Sequence, residues 1–347
     1  MSKKSVVLAA VATIATCTAF AETTRTVRAT LTGDAAASFA VENLAGTMTV
    51  IAVDGTTVEA VATIHAEDAT LANAVTFEQV RAHSGLATLR VGYPVDDHRT
   101  FRFPGAGSSN VEYAGRKVKV SSHSGVLLWA DVEVRVPRRV TDAEFYNLVG
   151  ALTAEGVEGD IRLDAASGDI VATRLAGTVV ADTGSGDVRG ESVGGSFTCD
   201  TGSGDCIVAG FDGDEISFDT GSGDITARDV KARRVRADTG SGQVRVENAD
   251  VEDFFGDTGS GDVLLQAVGT RLRRAAADTG SGDFTIYLPA DAAFDLKADI
   301  GSGDIVSRFA DAQAIVHGRE VVGYRRGAGT IRIDADLGSG DVVVAPR

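Results

Sequence analysis

A six-residue motif carries the acidic side chains of this sequence that could do chemistry. The motif, Asp-Thr-Gly-Ser-Gly-Asp, begins at Asp182, Asp200, Asp219, Asp257 and Asp278. Asp-Thr-Gly-Ser also surrounds the catalytic carboxylates of aspartic proteases, in which two such loops face each other and share one proton. Here the copies follow one another about every 19 residues and cannot face each other in that way. Protease activity is therefore not expected.

The same motif is similar to the glycine- and aspartate-rich sequences that bind calcium in other β-rolls. Stacked copies would align two columns of like-charged carboxylates, which is unfavourable unless something compensates the charge. Calcium could do so, because several carboxylates can share one ion. Alternatively, each Asp accepts hydrogen bonds from turn amides. We expect this structural role and hence no cofactor, with calcium as the alternative.

No other residues have the spacing of a catalytic or metal site. The five histidines lack a metal-ligand spacing such as His-x-x-x-His. They are His65, His83, His98, His123 and His317. Glycosidase or lyase chemistry would need carboxylates grouped with Lys or Arg in a groove, whereas the acids here are spread evenly along the repeats. The sequence therefore predicts a protein that is not an enzyme.

Aromatic residues concentrate in and beside the segment 94–125, which is rich in Gly, Ser and charge. They are Tyr93, Phe101, Phe103, Tyr113 and Trp129. Exposed aromatic side chains on a loop would suit contact with a glycan or a protein partner. Alternatively, these side chains cover the open end of the fold and hide its strand edges and apolar core from water. We favour the cap and keep ligand contact as the alternative.

Arginines form a second candidate binding surface at Arg271, Arg273 and Arg274. A stripe of arginines could bind an anionic glycan, but pairing with acids on neighbouring strands is the expectation we favour. Cys199 and Cys206 occupy predicted inward positions on either side of one turn. They form either a disulfide or two small buried thiols.

The elements that position these residues follow from the repeat. Variant copies of the motif begin at Asp164, Asp238, Asp299 and Asp336. Aligned on the first Asp, the copies have apolar or small residues three positions before it, one position before it and six positions after it. Such alternation is typical of strands, and two glycines in three residues permit the positive φ of a sharp corner. The repeating unit is therefore predicted to be strand, tight glycine turn, strand.

One such coil cannot bury its own apolar face, so we expect the coils to stack about 4.8 Å apart. The predicted fold is all-β, a single-stranded parallel β-solenoid (β-helix) with coils of about 19 residues. A hairpin array would give the same local alternation, but one turn per repeat fits coils better. We predict a signal peptide at 1–21, amino-terminal β coils at 22–150 with an insertion loop at 94–125, and a regular Gly-Ser-Gly-Asp solenoid at 151–347.

Charge and the amino terminus limit where such a protein acts. With a formal net charge of −16, it is not expected to bind nucleic acid. Lys3 and Lys4 precede an apolar stretch, and Ala19 and Ala21 suit cleavage before Glu22, a pattern typical of a secretory signal peptide. No segment has the length and apolar character of a membrane span. We expect an exported protein that is periplasmic, cell-surface or secreted.

Several of these features occur together in one known family. They are the signal peptide, an Asn-x-x-Gly step at Asn43, a strand closing in Val136-Pro137, serial Gly-Ser-Gly-Asp turns and the segment from Tyr287 to Leu296. In this combination the chain resembles a bacterial β-strand-repeat family of unknown function, often labelled "putative adhesin". The resemblance covers nearly the whole predicted mature chain and implies a β-solenoid of the cell envelope.

The sequence thus predicts a non-enzymatic cell-envelope or secreted protein that serves as an adhesin-like or scaffolding interaction surface. Its partner would be a glycan or an envelope protein. One alternative is a protein that self-associates end to end, because the terminal coils of a solenoid expose unpaired strand edges. A second alternative is an enzyme acting on polysaccharide.

Overall fold

The structure of the chain is a computed structural model. It describes residues 14–15, 22–82, 85–105 and 107–347. Apart from Ile14 and Ala15, the predicted signal peptide lies outside the described residues, as does His83. The chain forms two compact units, residues 1–186 and 187–347. Within the described residues, no helix combines the length and the apolar character that a membrane crossing requires.

The described part of the first unit consists of strands with two short helices. The strands are β1 Ile14–Ala15, β2 Thr23–Leu31, β3 Ser38–Ala45, β4 Met48–Val53, β5 Val58–Ala66, β6 Thr76–Ala82, β7 Leu86–Gly92, β8 Thr100–Arg102, β9 Ser108–Tyr113, β10 Arg116–Ser121, β11 Val126–Pro137, β12 Arg139–Val149, β13 Leu152–Glu155, β14 Glu158–Ala165, β15 Ile170–Thr173 and β16 Ala176–Thr183. The helices are α1 Asp34–Ala37 and α2 Ala69–Ala74. The side chain of Asp68 accepts a hydrogen bond from the Leu71 N–H and so caps α2.

The first unit contains both parallel and antiparallel strand pairs. Strand β12 pairs in parallel with β3 and β14, and β14 in turn with β16. Strand β13 pairs in parallel with β4 and β15. In contrast, β5 lies antiparallel between β2 and β11, and β6 and β7 form an antiparallel pair. The parallel strands meet at corners, where Asn147 lies beside Asn43 in register.

The segment 94–125, predicted as an insertion loop, contains strands β8, β9 and β10. Strand β10 pairs in parallel with β8 and antiparallel with β9. Ala114 and Gly115, which connect β9 to β10, have φ values of 49° and 71°. Positive φ at both central residues is what a two-residue type I′ hairpin turn requires. The turn therefore determines the antiparallel direction of β9 and β10.

The second unit is also built from strands. They are β17 Val188–Glu191, β18 Gly194–Thr201, β19 Cys206–Thr220, β20 Ile225–Thr239, β21 Val244–Ser260, β22 Val263–Ala267, β23 Arg274–Ser281, β24 Phe284–Leu288, β25 Phe294–Ile300, β26 Ile305–Ser307, β27 Gln313–His317, β28 Glu320–Arg326, β29 Ile331–Leu337 and β30 Val342–Pro346. Strands β18, β19, β20, β21 and β23 pair in parallel, so that equivalent residues of the motif lie side by side.

The interior of the repeats is formed by the apolar positions of the sequence pattern. In the copy that begins at Asp219, for example, Ile216, Phe218 and Ile225 are fully or almost fully buried. The glycine corners lie directly against one another: a Cβ atom on Gly221 would be 2.4 Å from the carbonyl oxygen of Gly202. The corner glycines are therefore needed for the close approach of neighbouring backbones.

The last copies of the motif do not follow the order of the chain. Strand β29, which contains Asp336, lies between β23 and β25, and β30 likewise lies between β24 and β26. The copy at Asp336 therefore separates the copies at Asp278 and Asp299. The other neighbour of β25 is β28, which runs antiparallel to it and forms a hairpin with β27.

The all-β prediction is confirmed, but the prediction of a single-stranded parallel β-solenoid was wrong. Parallel pairs are mixed with antiparallel pairs in both units. Where the glycine corner is absent, short turns such as Ala114–Gly115 and Gly318–Arg319 reverse the chain, and neighbouring strands become antiparallel. Residue alternation indicates which side chains face inward, but it is the same for parallel and antiparallel neighbours. The prediction therefore extended the geometry of the repeat beyond the residues that repeat.

Candidate functional site

The aromatic side chains in and beside the insertion lie inside the first unit. Tyr93, Phe101, Tyr113 and Trp129 are all buried, with at most 9% of any of them exposed. The ring centroid of Tyr93 is 5.6 Å from that of Phe101 and 5.8 Å from that of Tyr113. Phe103 is half-buried, with its ring 5.9 Å from Trp129. The structure thus brings the five predicted residues together as packed side chains.

Two tyrosine hydroxyls tie this cluster to the neighbouring backbone. The Tyr93 hydroxyl lies 3.1 Å from Asn43 Oδ1 and 2.9 Å from the carbonyl oxygen of Ala45. The Tyr113 hydroxyl donates to the carbonyl of Val91 at 2.5 Å. Burial raises the pKa of both hydroxyls, so they remain neutral donors. This arrangement fits a cap, and a role of these five residues in ligand contact stays a prediction.

His65 lies at the edge of the aromatic cluster. Its ring stacks on Trp129 with 4.7 Å between centroids, and its Nε2 lies 3.3 Å from Asp131 Oδ2. Nδ1 contacts the carboxylate of Glu22. Burial lowers the pKa of His65, but the hydrogen bonds to Asp131 and Glu22 outweigh it, and the pKa is raised. His65 therefore belongs to an ion-paired cluster.

Among the described residues, no group of three or more His, Cys, Asp or Glu is placed to hold a metal ion.

The three predicted arginines do not form one stripe. Arg271 lies 3.9 Å from a carboxylate oxygen of Asp250. The Arg273 guanidinium donates to a backbone carbonyl three residues earlier in the chain. Arg274 Nε lies 3.7 Å from Asp334, which the reordered last repeat places on the adjacent strand. Of the three, Arg274 borders the groove described next, and binding of an anionic glycan by these arginines stays a prediction.

The outer face of the second unit carries a shallow groove around Phe255. Strand register places Arg236, Phe255, Ala276, Asp334 and Lys297 side by side on β20, β21, β23, β29 and β25. Because Ala276 is small, the surface is depressed between its two larger neighbours. Two adjoining depressions, of about 300 and 400 Å³, share Phe255 and Ala276. We name this surface the Phe255 groove. Its lining includes Arg234, Phe255, Arg274, Ala276, Asp278, Lys297, Asp334 and Asp336.

The aromatic ring of Phe255 faces outward although the preceding residue is part of the core. Phe254 is 2% exposed, whereas Phe255 is half-buried and faces outward, because successive residues of a strand point to opposite faces. The guanidinium carbon of Arg236 lies 4.9 Å from the centroid of the Phe255 ring, a cation–π arrangement that supports the ring on one side. On the other side lies Ala276, so the ring borders open space there.

A column of carboxylates runs along one side of the groove. Asp257, Asp278, Asp336 and Asp299 follow one another in register on neighbouring strands. Burial, together with the charges of Asp238 and Asp278, raises the pKa of Asp257. The groove therefore offers hydrogen-bond acceptors at the strand spacing of about 4.8 Å.

The second Asp of the motif makes a structural contact in the repeats. The N–H of Asp224 donates to Asp205 Oδ1 at 2.9 Å, and the N–H of Gln243 donates to Asp224 Oδ1 at 2.9 Å. The same contact joins Asp304 to Asp341 at 2.8 Å. Each carboxylate thus accepts a hydrogen bond from a backbone N–H of the adjacent corner. These contacts support the structural role of this Asp as an acceptor for turn amides.

The threonine of the motif has a role that the sequence analysis missed. Thr220 and Thr239 are each 1% exposed. The Thr239 hydroxyl donates to the carbonyl of Gly223 in the adjacent corner at 3.0 Å, and the N–H of Gly223 donates to Thr220 Oγ1 at 3.1 Å. The signal was present in the sequence, because a residue that follows an outward Asp in a strand faces inward.

Phe255 was missed for a different reason. The aromatic residues predicted from the sequence were those that lie close together in the chain, and Phe255 lies outside that dense segment. Its position two residues before the motif Asp is an outward position, where the neighbouring copies have Arg236 and Ala276. The sequence signal for Phe255 was therefore an aromatic residue at a strand position that faces outward in every copy of the motif.

Elsewhere in this unit, Cys199 and Cys206 form a disulfide, with their Cα atoms 6.2 Å apart and both side chains buried.

Comparison with known proteins found similar solved structures and a family to which the chain belongs. Two solved structures share 10% identity with the chain, a "putative lipid binding protein" from Parabacteroides distasonis and a "putative adhesin" from Bacteroides fragilis. The first has a TM-score of 0.41 and covers 93% of this chain and 96% of its own. The corresponding values for the second are 0.39, 92% and 96%. No curated protein matches the chain.

The sequence profile of a family described as Toastrack DUF4097 matches residues 43–345. This match spans both units and most of the chain, and it confirms the resemblance to a β-strand-repeat family of unknown function. The chain belongs to the Toastrack DUF4097 family.

Proposed function

We propose that this chain is a non-enzymatic, adhesin-like interaction protein of the cell envelope that binds an external partner through the Phe255 groove. The observation that carries the proposal is the outward-facing, half-buried ring of Phe255 beside the small Ala276. An outward aromatic ring adds little to the core, whereas aromatic and arginine side chains dominate the energetics of binding surfaces. Arg236 and Arg274 flank the ring.

The charged groups of the groove support binding rather than catalysis. Asp334 is paired with Arg332 at 2.8 Å and lies 3.7 Å from Arg274. The carboxylates of Asp257, Asp278 and Asp336 form a column on one face of one sheet. Acid and base residues of a glycosidase flank the scissile bond from opposite sides. A single column does not provide that arrangement.

An exported location is supported by two independent features. The amino-terminal sequence has the pattern of a signal peptide, with Lys3 and Lys4 before an apolar stretch. The Cys199–Cys206 disulfide is of a kind that persists in oxidising compartments and is rare in the cytosol. Together they favour the periplasm, the cell surface or the medium.

Binding of the labelled full chain to a panel of intact bacterial and epithelial cells, measured by flow cytometry, tests the proposal. We expect Phe255→Ala to reduce binding at least tenfold. The matched control is Leu264→Ala, which shortens a half-buried apolar side chain on the next strand of the chain, β22. Its binding should equal that of the unmodified protein. Equal binding by both variants, or no binding to any cell type, would contradict the proposal.

End-to-end assembly is less well supported. It would require a bare strand edge at the end of the repeats, whereas in the second unit β28 is paired along β25. The paired residues run from Phe294, opposite Arg326, to Lys297, opposite Gly323. Among the described strands, the outermost strand at this end is then β27, which is only five residues long, and a short edge strand is a poor template for pairing with another chain.

A further inference from the structure

We propose that the Phe255 groove binds a neutral linear carbohydrate, with the Phe255 ring as the stacking platform for one sugar. This inference rests on the proposed function, because it names the class of partner for the same groove. A pyranose ring has one face formed largely by C–H groups and an edge of hydroxyl groups. The groove presents an aromatic ring next to polar acceptors, which matches both parts of such a ligand.

The charge of the groove argues against a polyanion. The two depressions are lined by three basic and five acidic side chains. One of the basic groups, Arg274, already lies 3.7 Å from the carboxylate of Asp334. A sulfated or carboxylated polymer would be repelled by the uncompensated acids. Carboxylates are acceptors and therefore suit the hydroxyl donors of a neutral sugar.

The repeat of the sheet favours a linear polymer over a single sugar. Asp257, Asp278, Asp336 and Asp299 lie on four successive strands, so an equivalent acceptor recurs about every 4.8 Å across the sheet. This interval is comparable to the length of one pyranose unit. A chain that crosses the strands would therefore meet a carboxylate at each unit. Several weak contacts of this kind add up only when one ligand spans them.

The backbone of the groove argues against an extended peptide as ligand. Strand β23 pairs with β21 on one side and β29 on the other, and β29 pairs with β23 and β25. A peptide that adds to a sheet needs an unpaired edge for its main-chain hydrogen bonds. The floor of the groove has no such edge, so its ligand must bind through side chains.

A glycan array that contains neutral oligosaccharides and heparin fragments, probed with the labelled full chain, tests the inference. We expect neutral oligosaccharides to bind and heparin not to bind. Isothermal titration calorimetry with the neutral series that binds should show affinity increasing with length up to about four units. Preferential binding of heparin, or no neutral oligosaccharide bound, would overturn the inference.

Variants of the groove separate stacking from charge. Phe255→Ala should weaken binding of the neutral oligosaccharide at least tenfold, and Phe255→Trp, which keeps an aromatic face, should retain it. Asp278→Asn should weaken binding by a smaller factor, because an amide oxygen still accepts. Leu264→Ala is the control that should bind normally, and circular dichroism checks that every variant is folded. Unchanged binding by Phe255→Ala would overturn the inference.

The outcomes distinguish this inference from the proposed function. If cells bind the chain through Phe255 but no neutral oligosaccharide does, the groove is an interaction site for another class of partner, and the carbohydrate inference fails alone. If neither cells nor oligosaccharides bind, both proposals fail.

Discussion

The two units arrange their aromatic residues differently. In the first unit, Tyr93, Phe101 and Tyr113 pack against one another inside the protein, where the glycine-corner repeat is absent. In the second unit, backbone pairing and apolar files form the core, and Phe255 faces outward. Both cores contain large rings, since Phe197, Phe218 and Phe254 are buried at inward positions of the repeats, but within the repeats the direction of each ring follows from its position in the strand. Clustered rings and rings at inward positions therefore indicate packing, whereas an aromatic residue at an outward strand position is a candidate for a site.

The largest effect is expected from a substitution in the glycine corners of the second unit. Gly221→Val should destabilise the second unit by about 4 kcal/mol or prevent its folding, because the new Cβ would lie 2.4 Å from the Gly202 carbonyl oxygen. Urea unfolding followed by far-UV circular dichroism measures the loss. Gly107→Val is the control, since a Cβ there meets no atom within 4 Å. Its stability should change by less than about 0.5 kcal/mol. A Gly221→Val protein with an unchanged midpoint would show that the corners are not tightly packed.

The fold could be predicted from the sequence within the repeats but not outside them. In the repeats, alternation around the motif correctly indicated the burial of residues such as Ile216 and Phe218, because strand geometry fixes which face each residue occupies. The position of Asp336 between Asp278 and Asp299 could not be predicted, since similar copies can pair with one another in more than one order. The antiparallel pairing of β5 with β11 has no counterpart in the repeat pattern either.

The candidate site was predictable only in part. Arg274 was identified from the arginine pattern and does border the groove. Its neighbour Asp334 lies about 60 residues away in sequence, and their contact depends on the unexpected placement of β29 beside β23. Phe255 could have been recognised from its outward position, but its small neighbour Ala276 matters only once the strands are known to be adjacent in register.

Removal of one ring from each unit should affect stability unequally. Phe101→Ala should destabilise the first unit by about 3–5 kcal/mol, because the Phe101 ring is fully buried beside Tyr93 and its loss leaves a cavity. Phe255→Ala is the matched comparison, with a smaller expected loss of about 1–2 kcal/mol, because that ring is half-buried. Urea midpoints of the two variants measure the difference. Equal losses would mean that Phe255 is a structural residue, and the groove would lose its main support.

The smallest effect is expected from His65, the titratable residue at the edge of the buried aromatic cluster. His65, stacked on Trp129, has a raised pKa, so its contribution to stability is fully present below its ordinary value of about 6.5 and is lost as pH rises through the raised value. The pKa of Asp131 is lowered: burial raises it, but the hydrogen bonds from His65 and Thr47 outweigh burial. The Asp131 contribution is therefore present above about pH 4 and is lost only as pH falls through the lowered value.

Between about pH 4 and 6.5 both groups stabilise the first unit, and from there upward the His65 contribution declines. His65→Gln should therefore flatten the dependence of the unfolding free energy on pH between 5.5 and 8.5. The expected difference is below about 1 kcal/mol, because the side chains of Glu22 and Asp131 are each 40% exposed. Melting temperatures at the two pH values, compared with Phe255→Ala as a variant without a titratable change, measure it. If His65→Gln keeps the full pH dependence of the unmodified protein, another group is responsible, and the cluster around Trp129 is held by packing alone.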